Sequence, residues 1–369
     1  MMIILTVLII IIGLILLGYL FLKLNPAFGR RASGETMEIY KQSGNYAKGR
    51  FMNATPTSMA MDPKTLISIL RDYMRTNTNR KPARPIGTVT SAVPYAELPD
   101  QTVVRWFGHS ALMLELEGKT LLIDPMFGKA PMPVQIFGNR RFSRSVPLEL
   151  TQLPLIDAVL ISHDHYDHLD YGSIKRIKDR VKQFIVPLGV GPHLERWGVD
   201  KAKIQEHDWW SEFQYEGLQL ACTPARHFSG RGLGDREATL WCSWVIKGRN
   251  VSVFFSGDSG YGDHFQAIGQ KYGPFDLTFM ECGQYDRRWA GIHMLPEESV
   301  QAHLDVRGKL MIPIHWGAFT LAMHEWTDPI ERVSKAAREN KVALAAPQIG
   351  QTLVLGAPDY PTSPWWRSV

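Results

Sequence analysis

Hydrophobic and polar positions fall into distinct regimes along this chain. From Met1 to Leu22 apolar side chains follow one another without a single charge. At about 1.5 Å per helical residue, that run covers the roughly 30 Å of a bilayer's hydrocarbon core. A membrane helix is predicted, and a retained one: no Lys or Arg precedes the run, and it exits through Lys23-Leu24-Asn25-Pro26 rather than through small residues. Residues 25–60 then mix Gly, Ser, Asn, Arg and Met with little period. Asp62-Pro63-Lys64-Thr65 opens a short helix to about Met74, with Pro just inside its start. Residues 77–100, rich in Asn, Thr, Arg and Pro, read as an extended linker lying against the following domain.

Beyond residue 100 the apolar runs become short and are separated by turn residues. Val103–Phe107, Ala111–Leu116 and Leu121–Ile123 predict an antiparallel meander. Later strands alternate with helical patterns at Gly262–Lys271, Pro296–Leu304 and Pro329–Asn340. The last is expected to be capped by Asp328, with Glu331 three residues on.

Composition narrows the class. With 369 residues, 45% apolar and 11% aromatic, the chain can bury a large core in one enlarged α/β domain. Cys222, Cys242 and Cys282 lack metal-type or disulfide-type spacing and are expected as reduced, buried thiols. Lys23, Arg30 and Arg31 follow the helix, while nothing basic but the terminal amine precedes it. The positive-inside tendency therefore predicts a single-pass protein with its bulk in the cytoplasm. No basic-aromatic nucleic-acid module is evident, so nucleic acid is not an expected partner. Residues 128–146 combine Pro and apolar side chains with Arg140, Arg141 and Arg144. They suit either a lip at an anionic membrane surface or a solvated loop with buried anchors.

The chemistry concentrates in His163-Asp164-His165-Tyr166-Asp167-His168, directly after the apolar run Ile156 to Ser162. Four metal-binding side chains in six residues cannot share one face of a strand or helix, so they wrap a tight loop around a charge. Imidazole suits zinc, and a carboxylate adds an oxygen ligand. His163 and His165 can serve one metal, Asp167 and His168 a second. Each metal then needs one more ligand, and a bridging carboxylate would join the two. His227 after Leu218–Ala221, Asp258 after Val251–Phe255, and His315 after Leu310–Ile314 are the candidates, each following an apolar run.

With these residues in view the chain resembles the metallo-β-lactamase-fold hydrolases, and within them the N-acylphosphatidylethanolamine phospholipase D branch. The likeness rests on WFGHSALMLELEGKTLLIDPMFG from Trp106, ISHDHYDHLDY from Ile161, LWCSW from Leu240, YGPFDL from Tyr272 and IHWGAF from Ile314, within roughly residues 100–350. It implies an αββα four-layer sandwich and two zinc ions per chain. His163, His165 and His227 would hold one ion, Asp167, His168 and His315 the other, and Asp258 would bridge them. With the hydropathy reading of the amino terminus, the expected layout is an anchor over 1–23, an extension over 24–100, the catalytic domain over 101–360 and a tail over 361–369. The implied reaction is phospholipase D type hydrolysis of a phospholipid by water activated on the zinc pair.

Further residues are candidates of a second rank. Asp124, in Leu122-Ile123-Asp124-Pro125, is expected to accept a proton from a ligand histidine, and His109 either supports the site or fills a turn. The branch resemblance sets His293 facing the lipid phosphate, where a polar donor could stabilise the leaving oxygen. Tyr166, Gln284 and Tyr285 are candidate head-group contacts. Trp241, Trp244, Trp289 and Trp316 either line an apolar groove, with Trp316 a candidate substrate contact, or pack in the core. His193, His207, His264, His303 and His324 are expected as ordinary surface or satisfied core groups. A zinc hydrolase of this kind could equally attack a lactone, an amide or another phosphodiester. A membrane-anchored interaction protein on a dead hydrolase fold predicts missing ligands, and none is missing.

Overall fold

The computed structural model describes residues 2–57, 62–75, 78–90, 100–147 and 153–369; of the 77–100 stretch read as a linker, 77 and 91–99 lie outside the described residues. The charge-free run forms α1 (Met2–Leu24), with no buried residue. It is long and apolar enough to cross a membrane. After it come the short α2 (Glu35–Tyr40), a small hairpin of β1 (Tyr46–Ala47) and β2 (Arg50–Phe51), and α3 (Pro63–Met74). Asp62 Oδ1 accepts from the backbone N–H groups of Lys64 and Thr65, and Pro63 occupies a position whose N–H would have no partner. Tyr40 and Phe51 are buried in the main core, so this part of the extension lies on the following domain.

That domain is two facing seven-stranded sheets. The first is built from β3 (Val103–Trp106), β4 (Leu112–Leu116), β5 (Lys119–Ile123), β6 (Ile156–Leu160), β7 (Val181–Pro187) and β8 (Ile204–His207). The second contains β9 (Glu212–Tyr215), β10 (Leu218–Thr223), β11 (Ser243–Lys247), β12 (Ser252–Phe255), β13 (Phe275–Glu281), β14 (Gly308–Ile314) and β15 (Ala343–Leu344). The last strand, β16 (Thr352–Val354), returns to pair with β3. The spatial orders are β16-β3-β4-β5-β6-β7-β8 and β15-β14-β13-β12-β11-β10-β9. In chain order each sheet begins antiparallel, in the first as the predicted meander required, and becomes parallel from β5 and from β12 onward.

Successive side chains of a strand face opposite ways, and the core follows that period. Leu112, Leu114 and Leu116 enter the core between the sheets with Leu220, Trp244 and Phe254. Met113, Leu122, Val159 and Phe184 face outward and are covered by Ile174 and Ile177 of α4 (Tyr171–Ile177) and Leu194 of α5 (Gly191–Arg196). On the other outer face lie α6 (His264–Tyr272), α7 (Pro296–Asp305) and α8 (Asp328–Glu339). The result is the expected αββα sandwich, and all three cysteines are free and buried in it. One helix start differs from expectation. Residue Asp328 lies inside α8, preceded by Thr327 without a side-chain cap, and its carboxylate meets Tyr285 and Arg332 instead.

Candidate metal centre

The chemistry gathers where strands end. Asp124 follows β5, the loop 163–168 follows β6, His227 lies beyond β10, Asp258 beyond β12, and His315 directly after β14. Carboxyl ends of parallel strands are where α/β sheets place ligands, because the chain must turn there and can aim side chains inward. Those turns are locally unusual: Asp124, His109 and His315 all adopt positive φ, at 43°, 57° and 67°. A non-glycine residue seldom holds this conformation unless its surroundings fix it. His315 and His109 fix each other, since the His315 N–H donates to His109 O at 2.9 Å and the His109 N–H to Trp316 O at 2.9 Å. Gly257 lets Asp258 approach the loop, for at φ 58° a Cβ there would sit 2.6 Å from Cys242 O.

Two sets of donors result. His163 Nε2 and His227 Nε2 lie 2.9 and 3.2 Å from His165 Nδ1. Asp167 Oδ2 lies 2.8 Å from His109 Nε2, 3.4 Å from His315 Nε2 and 3.6 Å from His168 Nε2. Between the sets, Asp258 Oδ2 is 3.1 Å from His168 Nε2 and His315 Nε2 and 3.8 Å from His163 Nε2 and His227 Nε2. One carboxylate oxygen thus faces four imidazoles drawn from both sets.

Whether these residues fit a metal can be decided from the geometry. Nitrogens bound to a tetrahedral zinc at about 2.0–2.1 Å stand about 3.3 Å apart, close to the spacing of the first set. His168 Nε2 and Asp258 Oδ1 are buried without a hydrogen-bond partner among the described residues. Such orphans are costly unless an unseen group completes them. The outward nitrogens, by contrast, are engaged: His168 Nδ1 meets Asp124 Oδ2 at 2.7 Å, His227 Nδ1 meets Ile292 O at 2.9 Å, and His315 Nδ1 meets Gly283 O at 3.2 Å. Those acceptors take the ring proton and turn each Nε2 lone pair toward the cluster. The set fits divalent metal.

Electrostatics say the same. Burial opposes charge on Asp258 and Asp167, yet the imidazoles of His168 and His315 at Asp258, and of His168, His109 and His315 at Asp167, overcome it and hold both carboxyls well below their usual range. Burial likewise opposes charge on His315, but Asp258 and Asp167 push it up to about 10, and Asp258, Asp167 and Asp124 raise His168. Burial drives His163 and His227 down, and His109 to about 3. Without metal the carboxylates therefore recruit protons as their positive charge; a cation would take that place.

Sequence reasoning missed Glu281, at the end of β13. It is fully buried, and its Oε1 accepts from the Ser259 and Met294 N–H groups at 2.9 and 3.1 Å. Its Oε2 lies 2.9 Å from His293 Nδ1 and 3.5 Å from His315 Nδ1, and burial pushes its pKa up. The signal was available: Leu277 to Met280 is an apolar run ending in a carboxylate, as Val251–Phe255 leads to Asp258. Residue His293 itself lies at the cluster, its ring 5.1 Å from His315 and 4.9 Å from His227.

Four candidate substrate contacts need correction. Trp316 is 1% exposed and stacks on Trp106 and Trp365, at 5.4 and 5.5 Å; it belongs to the core, as do Trp241 and Trp244. The Gln284 side chain is consumed by its own loop, donating to Phe319 O and accepting from the Leu321 and Ala322 N–H groups. The Tyr285 hydroxyl is bound to Asp328 and Arg332, and that of Tyr166 to Arg231 O at 2.6 Å. In the 128–146 segment Ile136 and Phe137 are exposed, but the Arg141 guanidinium turns inward onto the carbonyls of Phe107, Met126 and Gly128. The five histidines expected to be ordinary each have a polar partner.

Comparison with known proteins places this architecture. Residues 119–316 match a family described as the Beta-lactamase superfamily domain. The chain is 42% identical over 334 residues to an uncharacterized protein of Mycobacterium tuberculosis, covering 89% of each. It is 36% identical over 234 residues to N-acyl-phosphatidylethanolamine-hydrolyzing phospholipase D 1 of Caenorhabditis elegans, covering 60% of this chain and 65% of that one. Among solved structures, the metallo hydrolase Igni18 of Ignicoccus hospitalis superposes with a TM-score of 0.52 at 20% identity, covering 70% of this chain and 99% of its own.

Proposed function

Because this chain belongs to the beta-lactamase superfamily of metallo-hydrolases, we propose that it is a membrane-anchored dinuclear zinc phosphodiesterase acting on N-acylphosphatidylethanolamine-type phospholipids. The observation that carries the dinuclear reading is Asp258 Oδ2, set between the two donor groups at 3.1–3.8 Å from four imidazole nitrogens. In this reading His163, His165 and His227 hold one ion, Asp167, His168 and His315 the other, and Asp258 spans both. Bound there, two zinc ions would supply Lewis-acid charge for a phosphoryl oxygen and lower the pKa of a water.

The chain's own residues supply the remainder. Asp124 fixes the His168 tautomer and, through the Ser162 hydroxyl, supports His163: Ser162 Oγ lies 2.6 Å from Asp124 Oδ2 and 2.9 Å from His163 Nδ1. His109 steadies Asp167. His293, backed by the Glu281 carboxylate, is the proposed donor of a proton to the leaving oxygen.

Three features support a lipid substrate. The chain is 36% identical over 234 residues to the nematode phospholipase, and α1 would provide a membrane anchor with the catalytic bulk proposed on the cytoplasmic side. Exposed apolar side chains also recur near the domain surface: Ile136 and Phe137, and along α3 Leu66, Ile67, Leu70, Tyr73 and Met74. Those α3 positions recur at three-to-four-residue spacing, the pattern of an interfacial helix.

One preparation offered N-acylphosphatidylethanolamine, ordinary phospholipids, a generic phosphodiester and lactones tests the reading. N-acylphosphatidylethanolamine should be turned over with the highest kcat/KM, releasing phosphatidic acid. Preference for a lactone, or no turnover of any phosphodiester, would overturn it.

A further inference from the structure

We propose that the segment leaving the membrane helix is part of the metal loop's scaffold: Gly29, His193 and Arg231 join the anchor's exit rigidly to residues 163–169. The inference rests on reading that loop as a metal loop. A tether needs only slack chain, and here there is none.

The exit is an ordered 3₁₀ turn, Pro26–Phe28, in which the Ala27 N–H donates to Asn25 Oδ1 at 3.0 Å. The domain grips it along its length. The Arg196 guanidinium donates to Lys23 O at 2.7 Å, at the carboxyl end of α1, and also to Gly29 O. Trp197 Nε1 donates to Pro26 O at 2.7 Å, and Phe28 packs edge-on against Phe21 of α1.

Two side chains carry the connection onward. Arg231 is buried, and its Nε donates to Ala27 O at 2.9 Å. The same guanidinium donates to Asp164 O and to Leu169 O, near the two ends of the metal loop, and lies over the Tyr166 ring at 4.1 Å. Tyr166 returns the contact through its hydroxyl to Arg231 O. One planar fork therefore spans the anchor's exit and the loop, a task that five fixed donors suit and a lysine cannot reproduce.

His193 makes the second connection. The Arg30 N–H donates to His193 Nδ1 at 2.8 Å, which leaves the ring proton on Nε2. That atom lies 3.3 Å from Asp164 Oδ2. Asp164 sits between the ligand candidates His163 and His165, and its Oδ1 accepts from Gly230 N–H at 2.8 Å. Its side chain thus faces away from the cluster, and pins the loop backbone instead.

Gly29 makes the arrangement testable from the anchor side. At φ 69°, a Cβ on Gly29 would fall 2.0 Å from His193 Nδ1, so any side chain must displace the imidazole. Gly34 has a similar φ of 57° but nothing within 4 Å of its would-be Cβ. Gly34→Ala imposes the same kind of backbone strain without the collision, and is the matched control.

The full chain in detergent or vesicles is compared as parent, Gly29→Ala, Gly34→Ala, His193→Ala and His193→Gln. Three quantities are read: metal release to a chelator, amide hydrogen exchange over 163–169, and kcat and KM for a water-soluble phosphodiester. Gly29→Ala and His193→Ala should release metal roughly tenfold faster, the loss typical of groups supporting metal ligands. Exchange over 163–169 should rise, and kcat should fall with little change in KM. Gly34→Ala should match the parent, and His193→Gln, which keeps a donor for Asp164, should recover most of the loss. Parent-like release and exchange in Gly29→Ala would overturn the proposal, as would an equal effect of Gly34→Ala. A parent that holds no metal would refute the metal reading instead; loop exchange in Gly29→Ala would still decide whether the anchor orders residues 163–169.

Discussion

Replacing Asp124 by Asn tests how the protein keeps His168, a proposed metal ligand, facing the cluster. The carboxylate is fully buried and accepts three hydrogen bonds: from Ser162 N–H at 2.7 Å on Oδ1, and from Ser162 Oγ and His168 Nδ1 at 2.6 and 2.7 Å on Oδ2. An asparagine has the same shape but one acceptor fewer. Its oxygen must stay opposite the Ser162 N–H, which cannot reverse, so its NH₂ faces the hydroxyl and the imidazole. The hydroxyl can turn and accept; His168 can do so only by moving its proton to Nε2. That atom is 3.1 Å from Asp258 Oδ2 and is the one proposed to bind metal. The variant thus loses one charge-assisted hydrogen bond, about 1.5–3 kcal/mol. Metal affinity at the His168 position should fall roughly 10- to 100-fold. Competitive titration of metal-free protein against a chromophoric chelator measures this, with thermal unfolding of the metal-free forms as a control for folding. Unchanged affinity at both positions would refute the tautomer argument.

Two further predictions concern the frame around the site. Trp365→Ala removes a buried ring that stacks on Trp316 beside His315, and should cost about 3–5 kcal/mol in denaturant unfolding. A loss under 1 kcal/mol would mean the carboxyl-terminal segment is not part of the core. Glu206 is buried beneath Tyr40, and desolvation raises its pKa above the ordinary 4.5. Below 4.5 the carboxyl is protonated in both folded and unfolded chains and carries no penalty. As pH rises from there through the folded value, only the unfolded chain ionises freely, so this residue's contribution to stability falls. Glu206→Gln keeps an acceptor for the Gly189 and Gly191 N–H groups. The stability of the parent minus that of the variant should therefore decline across that window, and an increase would refute the assignment.

Particular residues show how far the sequence could be read. The 163–168 loop was legible because its spacing has few uses other than metal, and His227, Asp258 and His315 because each closes an apolar run. The antiparallel meander was legible from short apolar runs separated by turn residues, and α3 from Asp62-Pro63. What failed depended on where side chains point once the chain has folded. Trp316 adjoins His315, but the chain turns sharply at His315, whose φ is 67°, so one enters the cluster and the other the tryptophan stack. Gln284, Tyr285 and Tyr166 look like free polar groups in sequence, yet each is occupied by a partner at least 35 positions away. Arg141 was grouped with Arg140 and Arg144 by proximity alone. Burial lowers its pKa to about 10, and backbone carbonyls rather than solvent surround its charge. Glu281 was overlooked although it obeyed the rule that found Asp258. The contacts from the exit of α1 to His193 and Arg231 were not legible, since they join residues 163 and 204 positions apart.

The central claim is that residues from six strand ends assemble one site for two metal ions bridged by Asp258. Elemental analysis of the gently purified full chain, beside Asp258→Asn, tests it most directly. The account predicts about two zinc ions per parent chain and a clear loss in the variant, with secondary structure unchanged. A parent carrying no metal, or an Asp258→Asn variant that retains both ions and full turnover, would contradict it.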